Sequence, residues 1–201
     1  SSSSSSGSST SSGGATCVPD SCSGHGTCDD TSGAALCACD DGWYGAACGA
    51  CAFRVDTSAT GVGDGTTWHD AFTTLKPAIA AAATVSPEAC DVWIAAGTYY
   101  VYESAKTDTI TMADHVSLRG GFSGVETSRD QADPTAHPTI LSGKKNASGP
   151  RKVEHGVTGD GARGGIDGVT IRDGDSPYRG AGINLTSLLG PTELTVTRSE
   201  L

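Results

Sequence analysis

The clearest apolar periodicity in the chain lies between residues 68 and 84. Apolar side chains recur there at spacings of four, three, four and three, which places five of them on one face of a helix: Trp68, Phe72, Leu75, Ile79 and Ala82. Pro77 fits a helix only in the first turn, where backbone amides lack intrahelical partners in any case. We therefore predict a loose turn around Trp68 and Phe72, then a helix from about 75 to 84 with Thr74 as its N-cap.

After this helix, apolar and polar residues alternate over short stretches separated by Gly- and Asp-rich turns, a pattern typical of strands. Five strands are predicted, at 91–95, 116–120, 139–141, 168–172 and 194–197. Their starts lie 23 to 29 residues apart. A loose repeat of strand and turns favours a solenoid, in which stacked coils pair their strands in parallel and bury one continuous apolar core.

Composition and charge narrow the class of protein. The 201 residues include 28 glycines, one methionine and 5% aromatic residues, which suits short strands joined by tight turns and a mainly β fold. The formal charge of -10 opposes binding to nucleic acid or to an anionic membrane surface, so we expect no nucleic-acid partner. No apolar run approaches the roughly 20 residues that a bilayer-spanning helix needs.

Residues 1–16 are almost wholly Ser, Gly and Thr, which predicts a disordered tether. Such a tether holds the next module about 20 Å from an anchor. The stretch resembles the spacer that follows the acylated cysteine of bacterial lipoproteins, although that cysteine is not present, and a lipid anchor here is the one membrane contact we expect. We also expect that an export signal has been removed and that the fold continues beyond Leu201, because a predicted strand runs close to that end.

Seven of the eight cysteines fall within 35 residues, and Cys90 stands apart. A segment of this length cannot build an adequate apolar core, so disulfides must supply its stability, each contributing about 2–4 kcal/mol. Disulfides persist only outside the reducing cytoplasm. The cysteines therefore predict a secreted or cell-surface protein.

The gaps between the first six cysteines are four, five, eight, one and eight residues, and Gly42, Trp43 and Gly45 precede the sixth. This arrangement resembles an EGF-like domain over residues 17–48, within a module that we place at 17–51. Spacing alone leaves fifteen pairings open. The resemblance implies three particular disulfides, which are Cys17 with Cys28, Cys22 with Cys37, and Cys39 with Cys48.

Two metal interpretations of the module are disfavoured. Cys48 and Cys51 have the spacing of a redox or zinc motif, but zinc needs two further ligands and Cys48 is already required by the six-cysteine pattern. Some EGF-like domains bind calcium through acidic and amide residues ahead of the first cysteine, where this chain has only Gly13-Gly14-Ala15-Thr16. We expect neither a metal site nor a cofactor.

The two remaining cysteines, Cys51 and Cys90, each precede a segment of alternating apolar residues. If residues 52–55 pair in parallel with residues 91–94, the two cysteines lie level and on the same side as Phe53 and Val92. We therefore predict a fourth disulfide, which joins the end of the EGF-like module to the first coil.

Several stretches sharpen the prediction of a solenoid. The segments at 64–68, 95–99, 118–127 and 139–143 resemble the N-terminal part of bacterial surface proteins with a right-handed parallel β-helix, a group that includes pectate-lyase-like and polymorphic-outer-membrane-protein-like chains. The resemblance covers roughly residues 52–201. It implies a parallel β-helix after the EGF-like module, with the predicted helix as the cap of its first coil.

Candidate chemistry is sparse. Lyases of this fold combine carboxylate-bound calcium with a basic residue, and the basic residues Lys144, Lys145, Arg151 and Lys152 lie near Asp160 and Asp167 in the sequence. Their Gly- and Ser-rich setting favours a solvated loop, and the five histidines show no metal-ligand spacing, so we assign no catalytic residue. Trp93, Tyr99, Tyr100 and Tyr102 are candidate glycan-binding residues, because aromatic rings stack on sugars; the alternative is packing at a strand end.

Two functions follow. The first is a non-catalytic extracellular or cell-surface protein for adhesion, display or binding of a protein or glycan partner. The alternative is a carbohydrate-active enzyme, a lyase or hydrolase of acidic polysaccharide, whose catalytic coils are weak or lie beyond Leu201.

Overall fold

The computed structural model describes residues 16–18, 20–85, 89–177, 181–186 and 193–200, and the predicted tether lies outside them except for Thr16. The described residues form mainly β structure with one α-helix and one short 3-10 turn. No helix among them is long and apolar enough to cross a membrane.

The EGF-like module contains an antiparallel pair of strands, β1 (Gly26–Asp29) and β2 (Leu36–Cys39), and a two-residue strand, β3 (Trp43–Tyr44). Three disulfides hold it together, with the partners that the family resemblance implies: Cys17–Cys28, Cys22–Cys37 and Cys39–Cys48. The packing leaves no room for a side chain at Gly26, where a Cβ would lie 2.5 Å from the Ala38 carbonyl oxygen. The three disulfides take the place of an apolar core in this module.

The rest of the chain builds three sheets; their strands pair in parallel, and β3 of the EGF-like module joins the edge of the first sheet in the antiparallel sense. The first contains β4 (Ala50–Val55), β5 (Cys90–Ala95), β8 (Val116–Phe122), β11 (Arg163–Asp167) and β14 (Glu193–Thr197). The second contains β6 (Gly97–Tyr100), β9 (Thr139–Ser142) and β12 (Val169–Arg172), and the third contains β7 (Ile110–Thr111), β10 (Val157–Asp160) and β13 (Ile183–Thr186). From β5 to β14 the chain visits the first, second and third sheets in the same order each time.

The strand register stacks apolar side chains into a continuous core. In the first sheet Val92 lies opposite Leu118, and Leu118 lies opposite Ile166; all three are fully buried. In the second sheet Leu141 lies between Tyr99 and Ile171 in the same way. The three sheets thus enclose one apolar interior to which each contributes a row of side chains.

The helix α1 (Leu75–Ala83) has the predicted limits within one residue, and Thr74 is its N-cap. Its buried side chains, Leu75, Ala78, Ile79 and Ala82, join the core at the end of the sheets where β6 and β7 are the outermost strands. The two residues of the predicted apolar stripe that precede the helix do not pack on the same cluster. Phe72 packs on the main core, whereas Trp68 packs on the opposite side of the first sheet.

The five predicted strands are all present, but they do not all belong to one sheet. Those predicted at 139–141 and 168–172 lie in the second sheet, whereas the other three lie in the first. Strands at 97–100, 110–111, 157–160, 163–167 and 183–186 were not predicted. The spacing of 23 to 29 residues was therefore measured between strands that belong to different sheets, and it is not the repeat of a single sheet.

A second apolar cluster covers the outer face of the first sheet. It contains Ala52, Trp93 and Phe122, with Tyr44 of the EGF-like module packed against them. The rings of Trp93 and Phe122 stack at a centroid distance of 4.9 Å and an angle of 12°. Because this cluster lies outside the main core, β5 is buried on both faces.

Candidate functional site

A groove opens between the start of α1, strand β6 and the segment that leads to β7. Its volume is 260 Å³. The lining residues come from these three places and from the turn after β4: Thr57, Thr73, Thr74, Leu75, Lys76, Thr98, Tyr99, Tyr100, Val101, Glu103 and Ile110. The groove therefore has an apolar floor and a polar mouth.

The polar mouth has two sources. Four threonines contribute hydroxyl groups, and the ammonium of Lys76 lies 2.8 Å from the carboxylate of Glu103. The first turn of α1 contains no acidic residue, and the Thr74 side chain makes no capping hydrogen bond. Neither an acidic residue of the first turn nor the Thr74 side chain therefore stabilises the start of α1.

Two of the four aromatic residues predicted from the sequence line this groove. Tyr100 is 40% exposed, so part of this residue is accessible to a ligand in the groove. Tyr99 is buried in the floor, where its hydroxyl donates to the carbonyl oxygens of Ala95 (3.0 Å) and Val55 (3.3 Å). Burial, and to a smaller extent Asp56, raises the pKa of the Tyr99 phenol.

The other two aromatic residues lie elsewhere. Trp93 is fully buried on the outer face of the first sheet, between Tyr44 and Phe122, and has no ring face open to a ligand. Tyr102 packs against the main core and does not line the groove. Trp93, in the middle of β5, and Tyr99 are thus packed inside the fold, and Tyr100 is the more exposed of the two tyrosines that line the groove.

Lys144, one of the basic residues considered as a lyase site, pairs with an aspartate other than the two considered with it. Lys144 lies 3.3 Å from the carboxylate of Asp173, at the end of the second sheet. Asp167 lies in the first sheet and accepts hydrogen bonds from Arg198 at 2.5 and 2.9 Å. Asp173 and Asp167 are therefore each paired with a cation within the fold.

The sulfur atoms of Cys48 and Cys51 have separate partners. Cys48 is bonded to Cys39, and Cys51 is bonded to Cys90. Strands β4 and β5 pair in parallel with Cys51 directly opposite Cys90, which is the register expected from the sequence. No dithiol is therefore present at the position of the redox or zinc motif.

An ion-pair network on the outer face of the first sheet was not foreseen. Arg119 of β8 lies 3.2 Å from Asp91 of β5 and 3.6 Å from Asp167 of β11, so it links three neighbouring strands. Asp91 and Asp167 are each 7% exposed. The sequence shows a charged residue in each of these three strands. Which of these charges pair depends on the register between neighbouring strands, which was not predicted for all three.

Comparison with known proteins supports one part of the chain. A family model described as an EGF-like domain matches residues 17–48, which confirms the prediction made from the cysteine spacing. No curated protein and no solved structure matches the chain. The chain is thus a mainly β protein with a disulfide-rich EGF-like module, a type of module that indicates an extracellular or secreted protein.

Proposed function

We propose that this chain is a non-catalytic extracellular or cell-surface protein that presents a rigid binding surface, with the EGF-like module fixed to the first coil of a right-handed parallel β-helix. The repeated order in which the chain visits three parallel sheets supports the β-helix. Helix α1 packs over the core where β6 and β7 are outermost, as a cap of the first coil would.

The joint between the two parts supports a display role. Strand β3 of the module pairs with β4, and the Cys51–Cys90 disulfide joins β4 to β5 immediately behind it. The amide of Ala52 also donates to the carbonyl of Gly42 at 2.8 Å. A module held by a strand pair and a disulfide keeps a fixed orientation, which favours presentation of a surface to a partner.

The ligand that best fits the groove beside α1 is a glycan. The observation that carries this assignment is the exposed Tyr100 ring above a floor of apolar residues, with threonine hydroxyls around it. An aromatic face takes the apolar face of a sugar ring, and hydroxyls exchange hydrogen bonds with its edge. The ion pair of Lys76 with Glu103 at the mouth adds further polar groups that can hydrogen-bond to the sugar.

A glycan array followed by calorimetric titration of the best oligosaccharide tests the proposal. We expect Tyr100→Ala to weaken binding about tenfold or more, and Thr98→Val to weaken it less. Tyr102→Ala is the matched control, because that ring is two residues away and does not line the groove. Equal losses for Tyr100→Ala and Tyr102→Ala would contradict the assignment, and release of unsaturated uronate from an acidic polysaccharide would instead favour the enzymatic alternative.

A further inference from the structure

Arg54 is a buried cation on the outer face of the first sheet. The residue is 8% exposed, and its guanidinium lies 5.3 Å from the centre of the Trp93 ring. Its Nη1 donates to the carbonyl oxygens of Ala52 (3.2 Å) and Thr66. These contacts hold the guanidinium in one orientation.

The other edge of this guanidinium carries the Nε and Nη2 groups. Among the described residues no acceptor lies within hydrogen-bonding distance of Nε or Nη2, and no carboxylate lies within ion-pair distance of Arg54. Burial lowers the pKa of Arg54, and the nearby Asp41 and Tyr44 offset this only in part. Neither Nε nor Nη2 is a fully buried atom, so both reach solvent and are accessible to the carboxylate of a ligand.

Arg54 lines a cleft between the EGF-like module and the parallel sheets. The cleft has a volume of 290 Å³ and is lined from both parts of the chain: Cys39, Asp40, Asp41, Gly42, Trp43, Arg54, Thr66, Thr67, Trp68, Val125, Glu126 and Thr127. Both of its indole rings are held in place. Trp43 stacks on His25 at a centroid distance of 3.3 Å, and Nε1 of Trp68 donates to the Glu126 carbonyl at 2.8 Å.

We propose that this cleft binds the carboxylate of an acidic residue in a peptide segment of a partner protein. The Nε and Nη2 groups of Arg54 bind the two carboxylate oxygens in parallel, and Trp43 and Trp68 cover the apolar part of the residue. The site is distinct from the groove beside α1 and does not depend on it.

The charges at the rim favour a peptide over an acidic polysaccharide. Arg54 is the one cation among the lining residues, and Asp40 and Asp41 are exposed beside it. The Glu126 carboxylate is already occupied by the amides of Ser123, Gly124 and Val125. A polymer with a carboxylate on every sugar would be repelled by the aspartates of this rim. A peptide with one acidic residue between basic neighbours would pair its carboxylate with Arg54 and its cations with Asp40 and Asp41.

Titration of the full oxidised chain with a capped five-residue peptide, in which one central glutamate is flanked by lysines, tests the proposal; tryptophan fluorescence and calorimetry report binding. We expect saturable binding that falls at least tenfold when glutamine replaces the glutamate. We expect Arg54→Lys to weaken binding about tenfold, because lysine keeps the charge but lacks the paired donors. Asp41→Asn, at an exposed position, should weaken binding a few-fold, and Lys76→Gln in the other groove should not.

Two results would overturn the proposal. One is equal binding of the glutamate and glutamine peptides; the other is unchanged binding by a folded Arg54→Lys variant. If thermal unfolding shows that Arg54→Lys does not fold, the glutamine peptide and Asp41→Asn decide the question without it. Tighter binding of an oligouronate that displaces the peptide would assign the cleft to a sugar and reject a peptide ligand.

Discussion

The hydroxyl of Tyr44 donates a hydrogen bond of 3.0 Å to the carboxylate of Asp91 and so joins the EGF-like module to the second parallel strand of the first sheet. The ring of Tyr44 also packs on Trp93 at 4.8 Å. Burial, followed by the charge of Asp91, raises the pKa of the Tyr44 phenol, so the hydroxyl keeps its proton at neutral pH. The same carboxylate lies 3.2 Å from Arg119, and the module is thereby tied to the ion-pair network of the sheet.

We predict that Tyr44→Phe lowers the free energy of unfolding by about 1–2 kcal/mol, because a hydrogen bond to a charged, nearly buried acceptor is lost while the ring is kept. Urea unfolding of the oxidised protein, followed by tryptophan fluorescence, measures the change.

Tyr100→Phe is the matched control for this substitution. Tyr100 is 40% exposed, and loss of a solvated hydroxyl should leave the stability almost unchanged. A similar loss in both variants would mean that the hydrogen bond to Asp91 does not stabilise the joint.

We predict that replacing Cys51 and Cys90 together by alanine lowers the free energy of unfolding by about 2–4 kcal/mol, since the disulfide closes a loop with a sequence separation of 39. Both cysteines are almost fully buried, so removal of the bond also loosens the packing between β4 and β5. Denaturant titration measures the loss. Limited proteolysis should then cut the chain between these strands at lower protease concentration.

The disulfide between Cys17 and Cys28 provides the comparison, because its sequence separation is 11 and it lies within the module. Its removal should destabilise the module and leave the unfolding of the parallel sheets unchanged. If both double variants gave the same proteolytic pattern, the Cys51–Cys90 bond would have no special role at the joint.

The sequence predicted the features that a few residues determine locally. The spacing of cysteines identified the EGF-like module, and the position of Pro77 after Thr74 located the start of α1. The sequence also predicted that Cys51 and Cys90 lie opposite each other. Apolar residues alternate around each cysteine, and in this register of β4 and β5 the apolar residues of both strands face the core together.

The sequence did not predict features that depend on neighbouring strands. Strand β11 (Arg163–Asp167) contains two glycines and one apolar side chain, and it is a strand because β8 and β14 pair with it. The groove was missed for the same reason. Thr57, Thr73 and Thr98 are unremarkable in sequence and come together only when β4, α1 and β6 are in place.

We predict that Asp167→Asn lowers the free energy of unfolding by about 1–3 kcal/mol. Asp167 is 7% exposed, accepts hydrogen bonds from Arg198 and Thr197 and lies 3.6 Å from the partly buried Arg119, so the amide removes the negative charge that both arginines face. Arg198 holds the pKa of the Asp167 carboxyl below its usual value. Thermal and urea unfolding both measure this effect.

Asp114→Asn is the matched control for Asp167→Asn. Asp114 also binds an arginine through two contacts, to Arg163 at 3.0 and 2.6 Å, but both side chains are exposed. Solvent screens such a pair, so a much smaller change is expected. Equal effects in the two variants would show that burial is not what makes the Asp167 contacts stabilising.

Glu126 provides a prediction for acid stability. Burial alone would raise the pKa of its carboxyl, but hydrogen bonds from the amide and hydroxyl of Ser123 and from the amide of Val125 outweigh burial and lower the pKa to about 2. Because the folded protein favours the ionised form, this contribution is complete above about pH 4.5 and is lost as the pH falls towards about 2. We predict that Glu126→Gln lowers the free energy of unfolding by about 1–2 kcal/mol at neutral pH.

The comparison of unfolding curves across pH separates this effect from a general loss of packing. The difference between wild type and Glu126→Gln should shrink as the pH falls from about 4.5 towards 2, since the wild-type carboxylate is then protonated as well. Glu103→Gln, at an exposed ion pair with Lys76, should show little change at any pH. A difference that stays constant over this range would mean that the charge of Glu126 does not stabilise its loop, and that the shape of the side chain accounts for the loss.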